Sequence, residues 1–590
     1  MKRARYARSI LLILLIGVGA GSACKQSPPT NRNADQPARE RVPGQRGGAL
    51  VYRLTSPPKS FNPVMARDES SLIVSFFLLS SPLIQFNHDT QTYAPGLAEA
   101  WTRSSDARTV EVKLRDGLRF SDGHALTAED VAFTLRAIYD ERTGAPLFRD
   151  AMKIGGKEIA VAVVNERTLR FTFPDVIAAP ESYLSNLFVL PRHMLENDLK
   201  QGQLGAAWGV TADPQRIVTS GPFVVAASTP GERVTLARNP FYWKKDERGT
   251  ALPYLDTLTV EIISDANNAM ARLQQNAIDL IDRIRASDYA ALRATASTAR
   301  AFDVGPGLST DHLWFNLNDG ERDGRPVVDP IKRAWFNDVR FRRAVSSAID
   351  RQALADSTLQ GLATPLDGFI SPSNRNWAAT DLPRTEYSLD HARSLLQEAG
   401  FTVRGTGEAP ELYDAQGHRV AWTLLVPIEN EARKLMAAVI QADLIKLGME
   451  VQIAPLEFQA LTDRWSRSLD YDAMLIGTSL TDTEPSSYAN LLLSRADSHQ
   501  WHPKEPRPAT DWEARLDEVV TAQAHETDPQ RRLQLVHEMQ VIMAEQLPVI
   551  PIVARHVLTA ANARIGNCRP SNIIPFSLWN ADELFVKPQP

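Results

Sequence analysis

His499 and His502, in Asp497-Ser498-His499-Gln500-Trp501-His502, are the imidazoles closest to metal-ligand spacing. Nickel and zinc both accept imidazole nitrogen. No third ligand of strong type clusters with the pair, so the stretch reads as a solvated loop, and neither a metal site nor a cofactor is expected. His525-Glu526 and His537-Glu538 begin as zinc-protease helices do, but Pro529 and Val541 stand where the second histidine belongs, so H-E-x-x-H fails twice. There is no G-x-S-x-G elbow, no P-loop and no C-x-x-C pair. Glu111, Asp130 and the other scattered acids form no pair that spacing justifies. No catalytic residue is assigned, and the chain reads as a non-enzyme.

The 590 residues carry 65 Lys+Arg against 70 Asp+Glu, a net charge of -5. A general nucleic-acid binder wants a clearly basic face, so none is expected. With 43% hydrophobic and 23% charged residues the chain is globular, large enough for two lobes or several domains. Lys2, Arg3, Arg5 and Arg8 precede an apolar run from Ile10 to Ala20, and Gly21, Ser22 and Ala23 lead into Cys24. That order is a secretory signal, with an apolar run too short to span a bilayer comfortably. A cysteine directly after the small residues resembles a bacterial lipoprotein signal, which implies lipid on Cys24, although Gly21 stands where Leu is usual. Cleavage there takes the charge from -5 to -9 and leaves Cys568 as the sole free thiol. Residues 24–46, with Pro28, Pro29, Pro37 and Pro43, have the composition of a solvated tether.

Alternation predicts strands at Val110–Leu114, Thr168–Phe173, Arg233–Ala237 and Thr257–Ile263, with one helix at Ala128–Asp140 capped by Thr127. This first half is strand-rich α+β. Beyond residue 310 the pattern becomes α/β. Helices are expected at Asp338–Arg351, Leu389–Ala399 (cap Ser388, stop Gly400), Ala432–Leu447 (stop Gly448) and Pro529–Gln546. Strands are expected at Ala421–Val426, Met449–Ile453 and Tyr471–Ile476.

From Gly47 onward, blocks of residues resemble the extracellular solute-binding proteins of family 5, the peptide/nickel-type binding subunits of bacterial ABC transporters. The blocks run in that family's order: Gly47-Gly48-Ala49-Leu50-Val51, Tyr93-Ala94-Pro95-Gly96-Leu97-Ala98-Glu99-Ala100-Trp101, then Leu114-Arg115-Asp116-Gly117 with Thr127-Ala128-Glu129-Asp130-Val131. Ser220-Gly221-Pro222-Phe223, Arg238-Asn239-Pro240-Phe241-Tyr242-Trp243, Trp314-Phe315-Asn316 and Leu578-Trp579-Asn580 continue it. Asp116-Gly117 suits a tight hairpin, Thr127 with Asp130 is close to a capping box, and Asn239-Pro240 begins a turn. These blocks read as structural and are assigned no ligand contacts.

The resemblance implies a two-lobe periplasmic-binding-protein fold of type II, with three subdomains, an interlobe cleft and a hinge near residues 310 and 550. Lobe I would comprise 47–88, 215–311 and 549–590, with 89–214 an inserted subdomain, and lobe II would be 312–548. It implies capture of a peptide-like or other small polar solute by a monomer that delivers it to ABC permease subunits. The alternatives are a ligand sensor of the same fold, or a secreted hydrolase. Expected ligand-binding residues are Ser56, Pro57, Thr219, Ser220, Trp314, Asn316 and Phe369. Plain packing or turn roles are the ordinary alternative for each, as for most buried Trp. In the loop from Gly477 to Tyr488, Thr478 and Thr481 stand where peptide-binding relatives carry a Trp and an ammonium-pairing Asp, and Asp482 is one residue displaced. A buried ammonium needs a carboxylate, so the loop's peptide chemistry is altered, and unless Asp482 takes that pairing an ordinary free-amine peptide is disfavoured as ligand.

Overall fold

Leu50, Tyr52 and Leu54 alternate inward along the strand Ala49–Leu54, the period of two that a sheet edge-on to a core requires. In the computed structural model, which describes residues 41–588 apart from 296–297, 406–409 and 481, this strand lies inside an 11-stranded sheet. It pairs in parallel with Thr257–Ile262 and Leu280–Asp282. On one side follow Arg233–Arg238 and Phe223–Thr229. On the other, Leu280–Asp282 pairs with the long strand Val549–Asn562, which pairs antiparallel with the still longer Ala299–Phe315. Ala473–Thr478, Ala421–Pro427 and Glu450–Leu456 continue the sheet, and the short strand Ala363–Pro365, paired with Val549–Asn562, is its eleventh.

Two separate hydrophobic cores form on this sheet. The first gathers Leu50, Phe61, Phe120, Phe133, Phe171, Phe223 and Leu258, and the second Trp314, Phe315, Phe341, Trp422, Met474 and Val553. The architecture is the two-lobe α/β and α+β fold that the sequence predicts. A four-stranded antiparallel sheet, Ala98–Arg103, Thr109–Leu114, Thr168–Thr172 and Ala160–Asn165, packs into the first core with the helix Ala128–Tyr139. The two long strands run from one lobe into the other. Their register breaks between Asp303 and Thr310, where Gly305 sits at φ +88 and Pro306 follows. A ladder interrupted there bends more easily than a continuous one.

Local chemistry explains the boundaries. Thr127 and Asp130 form a reciprocal capping box, the shorter Asp serving where Glu is usual, and Thr127 N donates to Asp130 Oδ2 at 2.9 Å. Ser388 Oγ accepts from His391 N at 3.1 Å, and Gly448 ends its helix at φ +86 with the Leu412 amide so close that a Cβ would lie 2.8 Å from it. The helices Leu389–Glu398, Glu431–Ile445 and Pro529–Gln546 match expectation within two residues. Three expectations need correction. Asp116-Gly117 makes a turn but no hairpin, because Thr109–Leu114 pairs with Ala98–Arg103 and Thr168–Thr172 instead. The tether ends earlier than Arg46: Val42 N donates to Asn567 Oδ1 and Arg41 pairs with Glu583 at 2.9 Å. The stretch holding His499 and His502 is no solvated loop, since both side chains are buried. The secretory signal and Cys24 lie outside the described residues, among which no helix is long and apolar enough to cross a membrane.

Candidate ligand site between the lobes

The lobes meet along two seams. The turn after Asn87 carries Gln91, whose Nε2 donates to Ser373 O at 2.7 Å and whose Oε1 accepts from Arg375 N at 3.0 Å. At the second seam Ala178 N donates to Ala524 O at 2.8 Å, and His525 bonds Val176 O at 2.6 Å. A cavity of about 390 Å³, within the range of small-molecule sites, is walled by residues of the first lobe together with Asp482 of the second.

First-lobe residues form most of its wall. Phe76, Phe77 and Phe86 make an apolar end. Tyr93, Pro222, Tyr242, Trp579 and Asn580 come from the blocks read as purely structural, so that reading is corrected: the same turns that fix the fold also present side chains to the cavity. Gly221 shows why. A Cβ there would lie 2.4 Å from the Leu79 carbonyl carbon and 2.5 Å from Ser80 N, so only glycine lets this turn approach the segment bearing Ser80 and Ser81. His88 stacks on Trp579 with ring centroids 5.2 Å apart, and burial lowers its pKa to about 3, keeping it neutral.

Three cations and four carboxylates line the cavity: Arg41, Lys244 and Arg569 against Asp89, Asp482, Asp582 and Glu583. Arg569 bonds Asp89 and Glu583, each at 2.9 Å, while Lys244 lies 2.9 Å from Asp582 and Arg41 2.9 Å from Glu583. Asp482 is left over. Its Oδ1 accepts from Ser487 Oγ at 2.8 Å and Glu484 N at 2.9 Å, and it makes no ion pair among the described residues. Burial, opposed by those two hydrogen bonds and reinforced by Glu484, raises the Asp482 pKa above its ordinary value. Asp482 is also the one second-lobe residue in the described lining.

The other expected contacts lie elsewhere. Ser56 and Pro57 are exposed, with Ser56 Oγ 3.0 Å from Ser70 Oγ. Thr219 and Ser220 are buried behind the wall, and Ser220 Oγ accepts from Ser81 N at 3.1 Å, bracing a lining residue without reaching the cavity. Trp314 packs in the second core edge to face with Trp465. Asn316 Nδ2 donates to Leu469 O and Tyr471 O at 2.8 and 2.9 Å. Phe369 packs on Tyr488, centroids 5.4 Å apart. Thr478 Oγ1 accepts from Gln500 Nε2 at 3.1 Å, and Thr481 lies outside the described residues. Cys568 is a free thiol whose pKa burial pushes up to about 12, so it stays protonated.

Comparison with known proteins agrees with this architecture. Residues 92–500 match the model of the bacterial extracellular solute-binding proteins, family 5. A probable ABC transporter-binding protein of Deinococcus radiodurans is 28% identical over 79% of each chain, and the oligopeptide-binding protein AppA of Bacillus subtilis is 28% identical over 83% of each. The crystal structure of the ABC transporter substrate-binding protein CtaP of Listeria monocytogenes superposes with a TM-score of 0.74 at 23% identity, covering 92% of this chain and 100% of that one. The chain belongs to the bacterial extracellular solute-binding proteins of family 5.

Proposed function

We propose that the protein is the lipid-anchored binding subunit of an ABC importer and captures a small solute bearing a cationic group, of which a short peptide with a free ammonium is the leading case. The observation that carries this reading is Asp482, the one lining carboxylate without a cation, brought by the second lobe to a cavity walled by the first. A ligand cation at Asp482 pairs a buried carboxylate otherwise met only by hydrogen bonds from Ser487 and Glu484, and it does so only when the lobes are together. Ligand therefore favours the closed form, which the permease reads. The register break at Asp303–Thr310, opposite the Ala554–Leu558 segment, is the hinge, and residues 47–88, 215–311 and 549–590 with the inserted 89–214 move against 312–548. The 28%-identical AppA is named for binding oligopeptides, which supports the peptide class. In this reading the basic leader exports the protein and lipid on Cys24 holds it at the periplasmic or extracellular face of a membrane.

A test screens free-amine peptides beside their N-acetylated forms by calorimetry, with native mass spectrometry of the cavity's co-purified contents. Peptides that bind only with a free ammonium fit the reading. Equal affinity for both forms, or co-purification of an anionic solute, overturns it.

A further inference from the structure

We propose that the second lobe holds a divalent transition-metal ion at a site built by His499, Glu505 and Glu513, separate from the solute cavity. One ligand atom from each of the three lies within 4.8 Å of the others, and His499 Nε2 is 3.8 Å from Glu505 Oε2, near the roughly 3.4 Å between tetrahedral donors about 2.1 Å from one ion. None of the three is exposed: His499 has 0%, Glu505 1% and Glu513 4% of its surface open. Both ring nitrogens of His499 and both carboxylate oxygens of Glu505 are buried without a hydrogen bond. The His499 Nε2 that faces Glu505 and the two Glu505 oxygens would each cost about 1–3 kcal/mol left unpaired, a penalty rarely kept without a ligand.

The donor set has the chemistry of a metal centre. A neutral imidazole keeps a lone pair to donate to an ion. The carboxylates of Glu505 and Glu513 together match the charge of one divalent ion. Glu513 is aimed by its neighbours: Oε1 accepts from Trp501 Nε1 at 2.9 Å and Oε2 from Thr510 Oγ1 at 2.7 Å, leaving a second lone pair on each oxygen. His502, 5% exposed, stands beside the three, with Nδ1 3.4 Å from Glu505 Oε1 and Nε2 3.9 Å from Asp319, as a neighbour that orients the Glu505 carboxylate. One imidazole and two carboxylates, with the fourth position left to water, suit zinc.

The site also sits where an ion has something to hold. Two residues separate His499 from His502 and two separate His502 from Glu505, in an irregular stretch ahead of the helix Asp511–His525. Trp465 Nε1 donates to Gln500 O at 3.0 Å and Leu317 N to Trp501 O at 3.0 Å. The ion fastens the stretch to the helix Asp511–His525 through Glu513, and Gln500 passes that constraint to Thr478, at the strand end leading to Asp482.

The experiment takes the full mature chain, untagged and stripped with chelator, dialyses it against Zn²⁺ and counts the metal retained after gel filtration. One Zn²⁺ per chain is expected, with His499→Ala and Glu505→Gln losing it or binding at least about tenfold more weakly. His193→Ala, at the exposed stacked pair His124 and His193, keeps it and so controls for surface binding. No retained Zn²⁺ on the wild-type chain, or equal retention by Glu505→Gln, overturns the proposal. Should His499→Ala fail to fold, Co²⁺ titration of the wild-type chain still decides: visible d–d bands saturating at one equivalent support the site, and their absence overturns it.

Discussion

Gln91 of the first lobe and Ser373 of the second are joined directly, Nε2 of the one donating to the backbone carbonyl of the other at 2.7 Å. The same amide accepts from Arg375 N, and the Gln91 carbonyl accepts from Asn376 Nδ2 at 2.8 Å. Gln91 is 5% exposed and holds a left-handed φ of +55, so the turn presents this one side chain to the opposite lobe at some conformational cost. Gln91→Ala removes two interlobe hydrogen bonds worth about 0.5–1.5 kcal/mol each. Affinity for a bound peptide should fall about 5- to 100-fold by calorimetry, and the radius of gyration at subsaturating ligand should shift toward the open value. Unchanged affinity would show that the seam contributes nothing to closure.

Asp482→Asn tests the cavity charge. Losing a charged hydrogen bond costs about 1.5–3 kcal/mol, so affinity for a free-amine peptide should drop about 10- to 100-fold, while an N-acetylated peptide is indifferent. The pH dependence has a definite sign. The folded pKa of Asp482 lies above the ordinary aspartate value, so protonation is favoured by folding, and the stability this group contributes is complete in acid and lost as pH rises through the folded pKa. The Asn variant should therefore melt higher than wild type at pH 7 without ligand, and the difference should close below about pH 4. Wild-type peptide affinity runs the opposite way, weakening as acid neutralises the carboxylate.

Asp311 stands at the sheet crossing, buried, with Arg433 Nε and Arg555 Nε each 2.7 Å away. Burial alone would raise its pKa, but Arg555 and Arg433 outweigh it and hold the carboxyl below 3.8. Its contribution is thus present above the unfolded pKa and disappears as pH falls through the folded one. Asp311→Asn should cost about 3 kcal/mol at pH 7, by urea unfolding, and progressively less below about pH 4. A cost that does not vary with pH would contradict the ion-pair assignment.

Trp314 separates packing from contact. With 2% of its surface open in the second core, Trp314→Ala should lose about 3–5 kcal/mol of stability, and Trp314→Phe should retain peptide affinity within about twofold. A large loss of affinity in the Phe variant with unchanged melting would make Trp314 a ligand residue after all.

Much of the scaffold was legible because its cues are local. Ser388, Gly400, Gly448 and Asp528-Pro529 act within a turn of the helices they bound, and the alternation of Arg233–Arg238 or Thr257–Ile262 is visible in a short window. Shorter elements with weaker periodicity, such as the helices Arg192–Lys200 and Ala266–Gln274, carry few apolar positions and were not read. Within the site, Asp482 was legible from its loop, whereas Tyr93, Tyr242 and Trp579 were set aside because a motif residue that packs and one that faces a ligand look the same in sequence.

The amino-acid sequence by itself determined the two-texture organisation, the caps and stops of the main helices, and the presence of one displaced acid in the loop after Ala473–Thr478. Only the tertiary structure decided that Arg41, Lys244 and Arg569 are all neutralised by partners while Asp482 is not, because those partners lie from 14 to 542 positions away along the chain. The same holds for His499, Glu505 and Glu513. Their spacing is unremarkable on a line, and it becomes a donor set when the stretch between two helices folds inward and desolvates all three at once.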